Sequence, residues 1–340
     1  MDVQRLNSTA RAMVAQGKGL LAMDESTPSC NVRFAKQGIA QTETARRDYR
    51  ELILRTPGLA GCISGVILYD ETIRQAARDG TPFLQLLAAT GIMPGIKVDA
   101  GTIELAGHPG EKITEGLDGL RRRLAEYVAM GARFTKWRAV ITIGQGIPSQ
   151  SCIEANAHVL ARYAALCQEA GLTPIVEPET LMDGAHTLDQ CYETTERTLR
   201  AVFAQLIAQG VALEGMILKP NMVLPGKDCP TQNSVDEVAD ATVTCFLRTV
   251  PAAVPGIAFL SGGQSAGLAS ARLNAMHVRY GSRMPWELTF SYSRAIQQPA
   301  LDLWKGEDAN IAAAQQALLH RAQCNAAARS GQYALAMEQR

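Results

Sequence analysis

The sequence predicts an α/β fold closed as a (β/α)8 or TIM barrel, with additional N- and C-terminal helices. Eight short apolar runs recur at residues 20–23, 62–68, 95–98, 134–140, 174–177, 216–218, 257–260 and 287–290. Segments between them, such as 117–130, 152–170, 194–208 and 235–249, carry apolar residues at helical spacing. Several runs also end in charged residues. A barrel gathers such residues at the C-terminal ends of its strands, whereas an open doubly wound sheet would not converge them on one centre.

No Pro/Gly/Ser-rich linker, low-complexity tract or internal repeat divides the chain, so residues 1–340 are expected to form a single domain. Hydrophobic residues make up 47%, and 33 basic residues balance 33 acidic ones. That neutrality argues against a nucleic-acid or membrane-surface partner. The eight cysteines are too scattered for a disulfide framework or a Cys-x-x-Cys site and are expected to be free thiols in a reducing compartment. The five histidines also lack metal-ligand spacing, so neither metal nor cofactor is expected. No apolar run approaches a membrane helix and the first 20 residues lack a secretory core, which places the chain in the cytoplasm.

Along the chain, Val3, Leu6, Met13 and Val14 form one stripe of a first amphipathic helix. Arg5, Ser8 and Arg11 are weak marks of a transit peptide, and the helix is the preferred reading. The first strand ends Met23-Asp24-Glu25-Ser26. Asp24 or Ser26 there can simply cap the next helix; at the mouth of a barrel holding an amine, Asp24 is a candidate general base. Gly95-Ile96-Lys97-Val98-Asp99 ends the third run. Lys97 with Ser26, Ser29 and Arg33 forms either a second anion site or a solvated, capped helix start.

The fourth and fifth runs carry charges two apart, a spacing that puts Lys136 with Arg138, and Glu177 with Glu179, on one face of each strand. Arg121-Arg122-Arg123 reads as a solvated helix face. The sixth run, Gly215-Met216-Ile217-Leu218-Lys219-Pro220-Asn221, ends in an ammonium group whose burial disfavours the charge and frees a nucleophilic amine. Alone, Lys219 fits equally well a buried stem with its head in solvent. With Lys136 and Glu177 at matching strand ends, chemistry becomes the better account, because a second ammonium favours the neutral amine and a carboxyl can shuttle the protons of imine formation.

Phe259-Leu260-Ser261-Gly262-Gly263-Gln264-Ser265 precedes a helical segment at 266–275, so its N–H groups can face an anion. Phe290-Ser291-Tyr292-Ser293-Arg294 closes the eighth strand, and loops after strands 7 and 8 are the usual phosphate site of such barrels. Arg294 would add a bidentate clamp.

Gly17-Lys18-Gly19-Leu20-Leu21-Ala22-Met23-Asp24-Glu25-Ser26-Thr27, Lys136-Trp137-Arg138, Val176-Glu177-Pro178-Glu179, Leu218-Lys219-Pro220-Asn221-Met222 and the 259–265 loop together resemble class I fructose-1,6-bisphosphate aldolase, the Schiff-base glycolytic enzyme. The resemblance runs to about Tyr333. It implies a metal-independent lyase that reversibly cleaves fructose 1,6-bisphosphate to dihydroxyacetone phosphate and glyceraldehyde 3-phosphate. By resemblance, Lys219 forms the Schiff base, Lys136 and Glu177 assist carbinolamine formation and dehydration, Glu179 and Arg138 hold them, and Asp24 takes the C4 hydroxyl proton. Ser261, Gly262, Gly263 and Arg294 match the C1-phosphate site; Ser26, Ser29, Arg33 and Lys97 match the C6-phosphate side. A cytosolic homotetramer is the family's usual form.

Three departures stand out. Val32 precedes Arg33 where the family usually has lysine, which weakens discrimination between bisphosphate and monophosphate ketoses. Ser293 replaces a usual glycine, a strained choice if φ there is positive. Animal members end in a flexible tail with a terminal tyrosine that helps protonate the enamine, whereas this sequence ends Met337-Glu338-Gln339-Arg340. Slower proton exchange or another donor is the expectation. Two rivals remain: a Schiff-base aldolase preferring sedoheptulose 1,7-bisphosphate or fructose 1-phosphate, and a catalytically inert scaffold on the same barrel.

Overall fold

In the computed structural model, which describes residues 2–339, eight parallel strands close into a barrel. The barrel strands are β1 (Gly19–Met23), β2 (Ile63–Leu68) and β3 (Met93–Lys97), then β6 (Phe134–Ile141), β7 (Thr173–Thr180), β8 (Ile217–Leu218), β9 (Gly256–Phe259) and β10 (Glu287–Tyr292). Between β3 and β6 lies an antiparallel hairpin, β4 (Gly101–Glu104) with β5 (Lys112–Glu115), which the sequence reading missed. Its residues alternate without a clear apolar face, and three of the four in β4 are exposed, so periodicity gave no signal. Every predicted run overlaps a barrel strand, and the barrel closes where β1 pairs with β10.

The helices lie where the spacing put them, with ends shifted by the caps. Gln150–Glu169 starts at the Ser149 cap, whose hydroxyl accepts from Cys152 N at 3.1 Å. Leu188–Ala208 starts six residues before the predicted 194–208 helix, behind a Thr187/Gln190 capping box.

The period of two along each strand sorts the barrel interior. Leu20, Ala22, Phe134, Ile175, Ile217 and Ala258 form one buried apolar cluster with Ala10, Met13 and Val14 of the N-terminal segment. Helix Val3–Met13 therefore plugs the lower end of the barrel, with Val3 left exposed outside the stripe. Phe134 fills the interior so fully that a Cβ on Gly95 would lie 2.1 Å from its ring; only glycine fits there. Two residues further up the same strands stand Asp24, Lys136, Glu177 and Lys219.

At the C-terminal end, helix Ile311–Arg329 packs on helices Ala266–Tyr280 and Arg294–Trp304. Its buried Arg321 donates to Ala266 O at 3.0 Å and Ala295 O at 3.3 Å, tying together the first turns of both. All eight cysteines are free and buried.

Candidate active site

Lys219 follows β8 directly, and its N–H donates to Val176 O at 2.8 Å, laying the residue against β7. Pro220 has no N–H to continue the ladder, though its carbonyl still accepts from Leu260 N at 3.2 Å. The Asn221 side chain then accepts from Thr180 N at 2.9 Å and ties the end of β7 to the same turn. Lys219 and Glu177 therefore share the inward parity of adjacent strands.

Their charges meet. Lys219 Nζ lies 3.2 Å from Glu177 Oε1, and Lys136 Nζ lies 3.1 Å from Glu177 Oε2 and 2.6 Å from Asp24 Oδ2. Lys136 is close to Glu177 Oε2 but not aligned as a donor, and that oxygen has no hydrogen-bond partner. None of the four residues is more than 8% exposed. Burial works against the Lys136 ammonium, yet Asp24 and Glu177 outweigh it and push its pKa well above the usual lysine value. Burial alone would raise Asp24; Lys136 and then Lys219 overcome that and hold it at about 2. The same two ammonium groups depress Glu177 against its own desolvation.

Around this centre, Arg138 Nε pairs with Glu179, while its backbone N–H donates to Asp99 Oδ2 at 3.3 Å. Lys97 Nζ lies 2.5 Å from Asp99 Oδ1, and the Ser26 and Ser29 hydroxyls are 3.0 Å apart. On the opposite side, Gly262 and Gly263 adopt φ of 60° and 94°, turning the chain into the helix capped by Ser265. Arg294 opens the next helix.

These residues line a cavity of about 360 Å³ that holds all the predicted site residues except Gly263 and Arg33. Arg33 is drawn aside: Nη1 pairs with Glu25, and Nη2 donates to Gln298 Oε1 at 3.4 Å. Val32 beside it is 59% exposed. A larger depression of about 760 Å³ shares Lys97 and Asp99 but contains neither Lys136 nor Lys219.

The sequence reading did not single out Ser291, whose buried hydroxyl lines the cavity without a partner. Its signal was parity, since it stands two residues before Ser293 on the strand end. Glu25, next to Asp24, is taken up by structural partners. It accepts from Arg50 Nη2 at 2.8 Å, Ser293 Oγ at 2.8 Å and Gln297 Nε2 at 3.1 Å, besides Arg33. Ser293 has φ of −104°, so its side chain carries no left-handed strain.

A barrel whose strand ends surround a buried lysine with a second ammonium, two carboxylates and a Gly-Gly turn at a helix start has the architecture of a Schiff-base lyase for phosphorylated carbonyl compounds. The sequence model of "Glycolytic: Fructose-bisphosphate aldolase class-I" matches residues 5–340. The "Probable fructose-bisphosphate aldolase class 1" of Xanthomonas axonopodis pv. citri (strain 306) is 58% identical over 334 residues, covering 98% of this chain and 99% of that protein. The "Fructose-bisphosphate aldolase" of Dictyostelium discoideum is 50% identical over 331 residues, 96% of this chain and 92% of that one. Among solved structures, Plasmodium falciparum fructose-bisphosphate aldolase, in complex with TRAP and a small-molecule inhibitor, superposes with a TM-score of 0.96 at 45% identity, over 98% of this chain and 96% of that one.

The chain belongs to the class I fructose-bisphosphate aldolase family. It is an aldehyde-lyase of the metal-independent class, cleaving fructose 1,6-bisphosphate reversibly to dihydroxyacetone phosphate and glyceraldehyde 3-phosphate through a lysine Schiff base.

Proposed function

We propose that Lys219 is the Schiff-base lysine and that Lys136, Glu177 and Asp24 move the protons of its cycle. The observation that carries this is the shared carboxylate: Glu177 stands within 3.2 Å of both ammonium groups, one at each oxygen. Loss of a proton from Lys219 to Glu177 frees the amine lone pair to attack the C2 carbonyl, giving a carbinolamine. Lys136 stays cationic through this step, held by the Asp24 carboxylate. The proton on Glu177 then goes to the carbinolamine hydroxyl, water leaves, and the iminium forms.

Cleavage needs a base at the C4 hydroxyl and an electron sink at C2. Asp24, at about 2, is ionised throughout the neutral range but weakly basic while both cations face it. As the C3–C4 bond breaks, its electrons neutralise the iminium nitrogen to an enamine. The proton affinity of Asp24 rises as the C4 proton reaches it. The aldehyde departs, the enamine is protonated at C3, and water hydrolyses the iminium.

Ser261, Gly262, Gly263 and Arg294 are read as the C1-phosphate end, and Ser26, Ser29, Arg33 and Lys97 as the C6 end. The neutralised Arg33 and exposed Val32 favour a second reading, in which fructose 1-phosphate or another ketose phosphate competes well with the bisphosphate. Measuring kcat/KM for fructose 1,6-bisphosphate, sedoheptulose 1,7-bisphosphate and fructose 1-phosphate decides between them; a bisphosphate advantage above about a hundredfold, near 3 kcal/mol, would reject the second.

Residues 1–340 are read as one catalytic domain, since β1 and β10 from the two ends of the chain pair with each other. A cytoplasmic homotetramer is the proposed form. An Arabidopsis thaliana relative named cytosolic, 50% identical, supports the compartment. Ile207 and Leu247, exposed at 62% and 50% on two helices packed together, support an assembly face. Light scattering at the monomer mass across a micromolar range would refute the tetramer.

A further inference from the structure

One cation beside the anion loop has no part in the reaction as described. Lys227 belongs to the stretch after β8, which is tied to the loop after β7 by its backbone: Lys227 N donates to Met182 O at 2.8 Å, Gly226 N to His186 O at 2.8 Å and Asp228 N to Gly184 O at 2.9 Å. The backbone is thus fixed while the side chain stays at the surface. Its ammonium lies 2.8 Å from Asp183 Oδ1, both side chains being substantially exposed. On its other side is Gly263. A Cβ built there would sit 3.2 Å from both Cε and Nζ of Lys227 and 3.4 Å from Nη2 of Arg294.

Two cations therefore bracket one glycine of the anion loop. Like charges so close repel unless an anion joins them, and Asp183 answers only one. A dianionic phosphate resolves the arrangement, and an exposed lysine–carboxylate pair costs little to exchange.

We propose that Lys227 is a further phosphate ligand at the Ser261–Gly262–Arg294 end of the cavity, and that it leaves Asp183 for the phosphate when substrate arrives. This rests on reading that end as a phosphate site. The absence of a Cβ at Gly263 is what lets the lysine reach over the loop.

The test is competitive inhibition by inorganic phosphate against fructose 1,6-bisphosphate, on the full chain, with Arg294→Ala, Lys227→Met, Lys227→Arg and Asp183→Asn in parallel. Arg294→Ala should raise the inhibition constant about tenfold or more. Lys227→Met should raise it, and KM, by about fivefold, with a smaller effect on kcat and a dependence that fades as salt rises. Lys227→Arg should restore the wild-type value, and Asp183→Asn, by removing the competitor, should lower the constant by about twofold. A merely structural lysine would not respond in opposite directions to its own loss and to loss of its partner. If Arg294→Ala weakens phosphate and Lys227→Met does not, the role of Lys227 falls and the phosphate reading stands. If neither does, the phosphate reading falls and takes the proposal with it. An effect of Lys227→Met without one of Arg294→Ala moves the anion off this loop and also overturns the proposal.

Discussion

Floor and mouth of this barrel are built from the same strands, two residues apart, and their chemistry is opposite. Ala22 gives way to Asp24, Phe134 to Lys136, Ile175 to Glu177 and Ile217 to Lys219. The floor is a dry apolar plug. It keeps water away from the charges above, so each acts on the others through a medium less polarisable than water. The floor thus supplies stability, and the mouth uses some of it to keep four titratable groups together. Substitutions in the two layers should separate cleanly into losses of rate and losses of stability.

The largest loss should come from Lys219→Met. It removes the proposed nucleophile without opening the floor, so kcat should fall by about ten-thousandfold or more, at least 5 kcal/mol of barrel chemistry, with thermal stability unchanged or raised. Steady-state assay beside calorimetry reads both. Lys136→Met should cost about a thousandfold, near 4 kcal/mol. Unlike Lys219→Met, it should also destabilise, because Asp24 and Glu177 lose their chief counter-charge. An unfolding midpoint that does not move would break this part of the comparison. Phe134→Ala belongs to the floor and should cost about 3–4 kcal/mol by urea unfolding while leaving kcat within an order of magnitude.

A smaller effect comes from below the barrel. Burial lowers the His277 pKa to about 4, with Arg329 adding to it, and its Nε2 lies 3.0 Å from Leu288 O. Between the ordinary value of 6.5 and about 4, the unfolded chain takes a proton that the folded one refuses. Stability from this group is therefore full above 6.5 and declines as pH falls through that window. His277→Gln should flatten the decline by on the order of 2 kcal/mol, read as the difference between wild-type and variant unfolding free energies at pH 7 and pH 4.5. The smallest expected change is at the rim: Val32→Lys should raise the preference for fructose 1,6-bisphosphate over fructose 1-phosphate by about fivefold, near 1 kcal/mol.

Parity along strands explains how much of this was legible beforehand. Once Lys136, Glu177 and Lys219 were assigned to strand ends, their convergence followed from period two and barrel closure, and the 259–265 loop carried its own helix-start signal. What the sequence hid was pairing at a distance. Nothing local says that Arg33 turns toward Glu25, eight residues away and already engaged by Arg50, Ser293 and Gln297. Nor does any motif place Lys227 beside Gly263, since their approach depends on how the loops after β7 and β8 bond to each other. The β4–β5 hairpin was hidden for another reason: half of its residues are exposed and they carry no apolar period.

The central claim is that the amine of Lys219 attacks the substrate carbonyl. Borohydride reduction in the presence of fructose 1,6-bisphosphate, followed by mass spectrometry of the peptide containing Lys219, tests it directly. The account predicts a stable sugar-phosphate adduct on Lys219 and none on Lys136. An adduct on Lys136, or none on a folded and active protein, would contradict it.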